Sequence, residues 1–186
     1  MGKGEELITL ERLYKNTYGR SFYEDVFKIE EITSRARFIV DETVKLTNIK
    51  NFGAYLSILL AVDALFLNED RHLHNIAVIV NNQNKFRVCP IFDNGAGLLS
   101  DCKLDYPIDG NLLDMMKEVS AKTICTNFDE QLEVIESVYG KQVRFNFNRK
   151  TIQDILDLIH GYDVDTKERV KNILFEQIRK YQCLFD

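Results

Sequence analysis

The sequence predicts a mainly α-helical (α+β) domain built around one β-hairpin, and three observations carry that prediction. Residues 52–67 are apolar at almost every position, long enough for a helix buried on most sides. Two runs rich in β-branched and aromatic residues, 76–80 and 86–92, flank the turn-forming set Asn81-Asn82-Gln83-Asn84-Lys85 and read as a hairpin with a five-residue loop. Beyond residue 126, three apolar stripes at helical spacing each follow an Asn or Asp, and two of them end at a glycine.

In chain order, residues 5–14 place Leu7, Ile8, Leu10, Leu13 and Tyr14 at helical spacing, with Glu5 and Glu6 early, where the helix dipole favours acids. A short helix is expected there, then a turn over 16–20 centred on Gly19. The acidic segment 22–32 is read as helical despite its poor periodicity. Residues 35–46 set Phe38, Ile39, Glu42, Thr43 and Leu46 on one side of a helix that ends before Asn48. Asn51 is the expected cap of the central apolar helix, 52–67. Asp63 is its one charged residue, and a buried carboxylate must be paired or protonated. A hydrogen bond tying the helix to the loop that follows is expected of it.

After the hairpin, residues 96–126 hold Pro107, Gly110 and few periodic apolar positions, so a long irregular segment is expected, with a helical turn or two at 112–119. Its Ser100, Ser120, Thr123 and Thr126 are open to two readings, as phosphorylation sites or as residues of a solvated surface loop. The tail reads as helices over 128–139 (cap Asn127, stop Gly140), 149–160 (cap Asn148, stop Gly161) and 166–184, opened by Asp163 or Asp165.

A chain of 186 residues with 45% apolar content can bury one sizeable core, and a single domain over 1–186 is expected. A formal net charge of −5 removes the general attraction to phosphate polymers and anionic membranes, which argues against direct nucleic-acid or membrane binding. Cys89, Cys102, Cys125 and Cys183 have no C-x-x-C spacing and suit reduced packing residues in a cytoplasmic protein. No apolar stretch resembles a signal peptide or a bilayer span.

The chemistry concentrates between Asn68 and Gly97. Asp70 and Asn75 lie five residues apart on the polar segment between the central helix and the first hairpin strand. Antiparallel pairing brings Asp93, at the end of the second strand, back beside them. Three hard oxygen side chains at one end of a hairpin suit Mg²⁺ shared with phosphates, which takes one or two carboxylates, an amide oxygen, water and phosphate oxygens. Taken singly, each of the three is also a good turn former. His74 and His160 are assigned structural roles, and Cys89 a place in the hairpin core.

The motif D-x-H-x-x-N (Asp70, His72, Asn75), a hairpin, and then P-I-F-D-N-G (Pro90 to Gly95) resembles the catalytic core of the HipA-like serine/threonine kinases. D-R-H-x-x-N-I is also similar to the catalytic loop of the phosphatidylinositol 3-kinase superfamily. The likeness extends more loosely through Glu6-Leu7-Ile8-Thr9-Leu10 and Phe128-Asp129-Glu130-Gln131. It implies a protein-kinase-like C-terminal lobe that uses ATP and Mg²⁺. Asp70 is then the catalytic-loop base, His72 a catalytic phosphate contact, and Asn75 and Asp93 the metal ligands. Arg71, His72, Asn75 and Asp93 form the nucleotide-binding set, with Arg71 also bracing the loop. Asn94 stands where the eukaryotic D-F-G motif has Phe.

The resemblance also implies an N-terminal lobe with a phosphate-covering loop and a strand lysine. The 67 residues before Asn68 read as helices, and Met1-Gly2-Lys3-Gly4 is too short for a glycine-rich loop, so that lobe is expected to be absent. The implied activity is ATP-dependent phosphoryl transfer to a protein Ser/Thr hydroxyl, weak without the other lobe. An N-lobe-bearing chain or an antitoxin is the implied partner. The rival readings are a non-catalytic pseudokinase or interaction module and, third, a kinase of lipids or small molecules.

Overall fold

Residues 5–9 depart from the expected helix, and the departure sets up the sheet. In the computed structural model, which describes residues 2 and 4–185, Glu5–Thr9 is a strand (β1) and the helix after it, α1, runs Leu10–Tyr18. Met1, Lys3 and Asp186 lie outside the described residues, as does that part of the Met1-to-Gly4 reading. The hairpin strands are β2 (Ala77–Asn81) and β3 (Phe86–Val88), and β1 pairs antiparallel with β2 from Glu5↔Asn81 to Thr9↔Ala77. One hairpin therefore becomes a three-stranded sheet of order β1-β2-β3.

The reason is tertiary. β2 carries buried Ala77, Val78 and Ile79, and its second edge would otherwise present unpaired backbone groups. Leu7 packs with Ala77, Ile79 and Cys89, while Thr9 ends the strand and caps α1 by accepting from the Arg12 N–H. Glu5 reaches across the sheet to Arg87 at 2.9 Å, and that bond, helped by the Gly2 N–H, holds its carboxyl down at about 2. β3 is shorter than the expected 86–92 run. Pro90 has no N–H to donate, and the Cys89 N–H to Ala77 carbonyl bond at 3.4 Å is the last on that side.

The acidic 22–32 segment is not one helix. It holds α2 (Phe22–Phe27), a short connection, and the start of α3 (Ile32–Thr47), whose first N–H groups are capped by the Glu31 carboxylate. Gly19 and Asn48, both left-handed at φ 72 and 60, close α1 and α3. The central apolar helix is α4 (Phe52–Phe66); Asn51 occupies its cap position but makes no side-chain cap bond. In the tail, α5 is Leu112–Glu118 and α6 is Phe128–Tyr139 with Asn127 as its cap. Then α7, Arg149–Leu158, stops two residues early, and α8 runs Val164–Lys180 from an Asp163 cap, followed by a 3-10 turn at Gln182–Leu184. All four cysteines are free thiols. No helix among the described residues is long and apolar enough to cross a membrane.

α4 is the axis of the fold, packed against α3, α6 and α8. Leu56, Leu59, Leu60, Ala61, Ala64 and Leu65 are fully buried along it. Two buried side chains of this core are matched by carbonyls: Gln177 of α8 donates to the Ala64 carbonyl at 2.7 Å, and Ser57 to the Gly140 carbonyl at 2.9 Å. Where α4 crosses α6, Gly53 lies under the Tyr139 ring so closely that a Cβ would stand 2.3 Å from Cδ1 and 2.6 Å from Cε1. Gly53→Ala is therefore expected to destabilise the protein by about 1–3 kcal/mol in urea unfolding, as overpacking does, although alanine is the better helix former. Recovery of that loss in Gly53→Ala/Tyr139→Leu would trace it to the ring.

Candidate active site

The site is assembled under the C-terminal end of α4. Leu67 ends the helix in the left-handed conformation (φ 51), which turns Asn68 inward so that its Nδ2 donates to Asp63 Oδ1 at 2.8 Å. Asp63, 1% exposed, receives Arg71 Nε at 2.9 Å and Nη2 at 3.1 Å, a bidentate pair. Burial pushes the Asp63 carboxyl up, against the pull of the Arg71 and Asn68 bonds. The rest of the guanidinium reaches both loops of the site. Nη1 donates to the Asn75 carbonyl at 2.8 Å and the Phe92 carbonyl at 2.6 Å, and Nη2 to Asn94 Oδ1.

Arg71 thus has all five N–H groups engaged by protein and is 1% exposed. The resemblance implies a nucleotide contact for Arg71, and in this structure its donors are taken by protein. Its bracing role is what the geometry carries. One guanidinium fixes the separation between the loop before β2 and the loop after β3.

The remaining expected residues lie above this clamp. Asn75 Nδ2 donates to the Asp70 carbonyl at 2.9 Å and sits 3.4 Å from Asp70 Oδ2, leaving Asn75 Oδ1 without a protein donor among the described residues. The His72 N–H closes on the Asp70 carbonyl at 3.0 Å, and His72 Nε2 stands 3.6 Å from Asp70 Oδ1. His72 Nδ1 is buried with no partner. Asp93 is exposed, in the left-handed conformation (φ 56), one residue beyond the carbonyl held by Arg71. Aspartate tolerates that conformation better than most residues. Asp70 and Asn75 are therefore in contact. Asp93 meets them only through Arg71, its own carboxylate free of protein partners among the described residues.

No group of three or more His, Cys, Asp or Glu side chains among the described residues is arranged to hold a metal. The donor set present is a free carboxylate and an amide oxygen. It suits a hard cation that takes the rest of its shell from phosphates and water, and it does not form an all-protein cage.

The irregular 96–126 segment reaches back to the site at two points that sequence reasoning missed. Tyr106 donates to Glu69 Oε2 at 2.7 Å, and burial together with that carboxylate pushes its phenol above the ordinary range. Buried Thr123 donates to the Arg71 carbonyl at 2.6 Å, 52 residues away in sequence, and beside it Lys122 places Nζ 3.6 Å from Asp70 Oδ1. A groove of about 530 Å³ opens next to this cluster, lined by Tyr23, Phe27, His72, His74, Lys122 and Cys125 among others.

Neither protein-family models nor curated proteins match the chain. Among solved structures it is similar to the crystal structure of a Helicobacter pylori proinflammatory kinase, CtkA, with a TM-score of 0.61 and 19% identity over 96% of this chain and 69% of that one. The chain has a kinase-like fold. Within a kinase-like fold, a mostly helical body with a small antiparallel sheet is the C-lobe-like arrangement, and the two clamped loops here flank its β2–β3 hairpin.

Proposed function

We propose that the chain is the C-lobe of a HipA-like kinase, one domain over residues 1–186, that transfers the γ-phosphoryl group of ATP to a protein Ser/Thr hydroxyl. The observation that carries this reading is the Arg71 clamp. A buried guanidinium ties the Asp70–Asn75 loop to the loop that carries Asp93. A fold that needed only a core gains little from joining two polar loops in this way. The kinase-like fold supports the same reading.

In the proposed reaction, Asp93 and Asn75 Oδ1 would hold Mg²⁺, which would supply neutralisation of the phosphate charge. Asp70 orients the acceptor hydroxyl and takes its proton. The acceptor oxygen bonds to the γ-phosphorus while the bond from phosphorus to the bridging oxygen breaks, leaving its electron pair on ADP. His72, beside Asp70, faces the moving group. The transition state is loose, so positioning and charge neutralisation supply most of the acceleration. Contacts to adenine are assigned to a second lobe, on a partner or on further chain.

Calorimetry with Mg²⁺ and ATP, on the wild type and Asp93→Ala, tests the nucleotide site. Loss of an outer-shell support costs about 10–100-fold in metal affinity, so loss of a direct ligand is expected to cost about 100-fold or more. No saturable binding by the wild type at millimolar ATP would overturn the kinase reading and leave the non-catalytic interaction module. Radiolabel transfer to casein or to the chain itself is the readout for catalysis.

A further inference from the structure

Resting on the phosphoryl-transfer reading above, we infer that Lys122 contacts the terminal phosphate of the nucleotide and lets the site distinguish a triphosphate from a diphosphate. The first ground is position. Lys122 lies between two fixed residues: Ala121, 1% exposed, donates its N–H to the Thr126 carbonyl at 2.9 Å, and Thr123, fully buried, donates to the Arg71 carbonyl at 2.6 Å. Its backbone is thus held against the Asp70 loop while its side chain stays half exposed.

The second ground is the looseness of its ion pair. The other lysine ion pairs among the described residues close more tightly: Lys28–Asp25 at 3.0 Å, Lys45–Glu42 at 3.1 Å, Lys117–Asp114 at 2.9 Å, Lys180–Asp129 at 2.8 Å, and Lys171–Glu168. Lys122 Nζ stops 3.6 Å from Asp70 Oδ1, and His72 Nε2 stands at the same distance from the same oxygen. Beyond about 3.2 Å an N–H···O bond is no longer well formed. Lys122 is held near Asp70 without being bound to it, so an incoming anion can take the ammonium without breaking a strong contact.

The third ground is charge. Asp70 and Asp93 both repel a phosphate, and the chain as a whole carries a net charge of −5. Among the described residues, Arg71 and Lys122 are the permanently cationic side chains bonded or ion-paired at the Asp70–Asn75 loop, and every Arg71 donor is engaged by protein. Lys122 is left to offset the terminal phosphate. Transfer requires the γ-phosphorus next to the hydroxyl whose proton goes to Asp70, so a cation a few ångströms from Asp70 reaches the γ-oxygens and not the α-phosphate. A lysine suits the task as a mobile point charge that follows the moving group. As the acceptor oxygen bonds to phosphorus and ADP leaves with the electron pair, no proton moves to or from Lys122.

The test is calorimetry with Mg²⁺–ADP and with the non-hydrolysable Mg²⁺–β,γ-imido-ATP, on the wild type, Lys122→Met, Lys122→Arg and, as a charge control, Lys117→Met. Lys122→Met is expected to weaken the triphosphate analogue about 10–100-fold, the loss of one charge-assisted contact, with ADP unchanged. Lys122→Arg should recover part of that loss, and Lys117→Met should match the wild type. A merely structural role would lower the melting temperature and leave the triphosphate-to-diphosphate ratio alone, and that result overturns the assignment. Equal weakening of both nucleotides overturns it too. Wild-type protein that binds neither nucleotide would fail at the kinase reading itself, before the lysine is reached.

Discussion

Replacing Arg71 with methionine is expected to cost about 3–5 kcal/mol of stability at neutral pH, measured by urea unfolding, because it strands a buried carboxylate. Asp63 lies on the inner face of α4 at 1% exposure, and two of its three side-chain partner bonds within 3.1 Å come from Arg71, the third from Asn68. Methionine fills much of the space of the arginine stem and replaces none of its donors. The Asn75 and Phe92 carbonyls lose their shared partner at the same time, so the two loops are no longer held at a fixed separation.

The loss should depend on pH in a definite direction. Burial already raises the Asp63 carboxyl above its ordinary range, and removing the guanidinium raises it further. A carboxyl whose folded pKa exceeds its unfolded value, about 4, favours the folded state at pH below that value and loses the contribution as pH rises through the folded pKa. The deficit of Arg71→Met therefore shrinks as pH falls from 7 toward 4, because folded Asp63 takes up a proton. Asp63→Leu/Arg71→Met should recover most of the lost stability at neutral pH without restoring the loop geometry. An Arg71→Met protein within 1 kcal/mol of the wild type would show that water reaches Asp63 and that the clamp is weak.

The same residue marks where the sequence was legible and where it was not. Periodicity and caps located α4, α6 and the tail helices because those signals are local: Asn127 before an apolar stripe and Gly140 after it mean the same in any context. Residues 5–9 misled because Leu7, Ile8 and Leu10 satisfy helical spacing as well as a strand-to-helix junction, and only the open edge of β2, some seventy residues on, decides between them. Hairpin topology puts Asp70, Asn75 and Asp93 on the loops flanking the hairpin, but of the three oxygen side chains expected to converge only those of Asp70 and Asn75 touch, and Asp93 is linked to them through the Arg71 clamp. Asp63 was expected to tie α4 to the loop and Arg71 to brace it, and the two form one buried pair; what was not readable is that this pairing and the two loops take every Arg71 donor. An arginine next to an aspartate on a polar loop looks like an anion contact, and its burial depends on Asp63 one helix earlier. Lys122 carried no signal, and Thr123, read as a phosphorylation site or a surface-loop residue, is instead buried against Arg71; the irregular segment that delivers them has no period and its return to Arg71 spans 52 residues.

Asp70→Asn is expected to lower the phosphoryl-transfer rate about 10²- to 10⁴-fold, the range for losing a positioned general base, with nucleotide affinity changed far less. The substitution separates chemistry from folding because the Asp70 backbone is held independently of its carboxylate. The Asp70 carbonyl accepts from Asn75 Nδ2 at 2.9 Å and from the His72 N–H at 3.0 Å, and neither bond involves the side chain. The carboxylate itself is half exposed and makes only long contacts, 3.4 Å to Asn75 and 3.6 Å to Lys122 and His72, so an isosteric amide keeps the shape of the loop. An unchanged melting temperature with a reduced kcat would place the loss in the transfer step. Transfer retained within tenfold would mean that the acceptor proton leaves by another route, and Asp70 would then serve to hold Lys122 and His72 beside the phosphates. The two roles separate further in Asp70→Asn/Lys122→Met. If Asp70 acts through its own proton transfer, the double variant keeps the kcat of Asp70→Asn and adds the triphosphate-specific binding loss of Lys122→Met. If Asp70 acts only by holding Lys122, the second substitution adds nothing to the first.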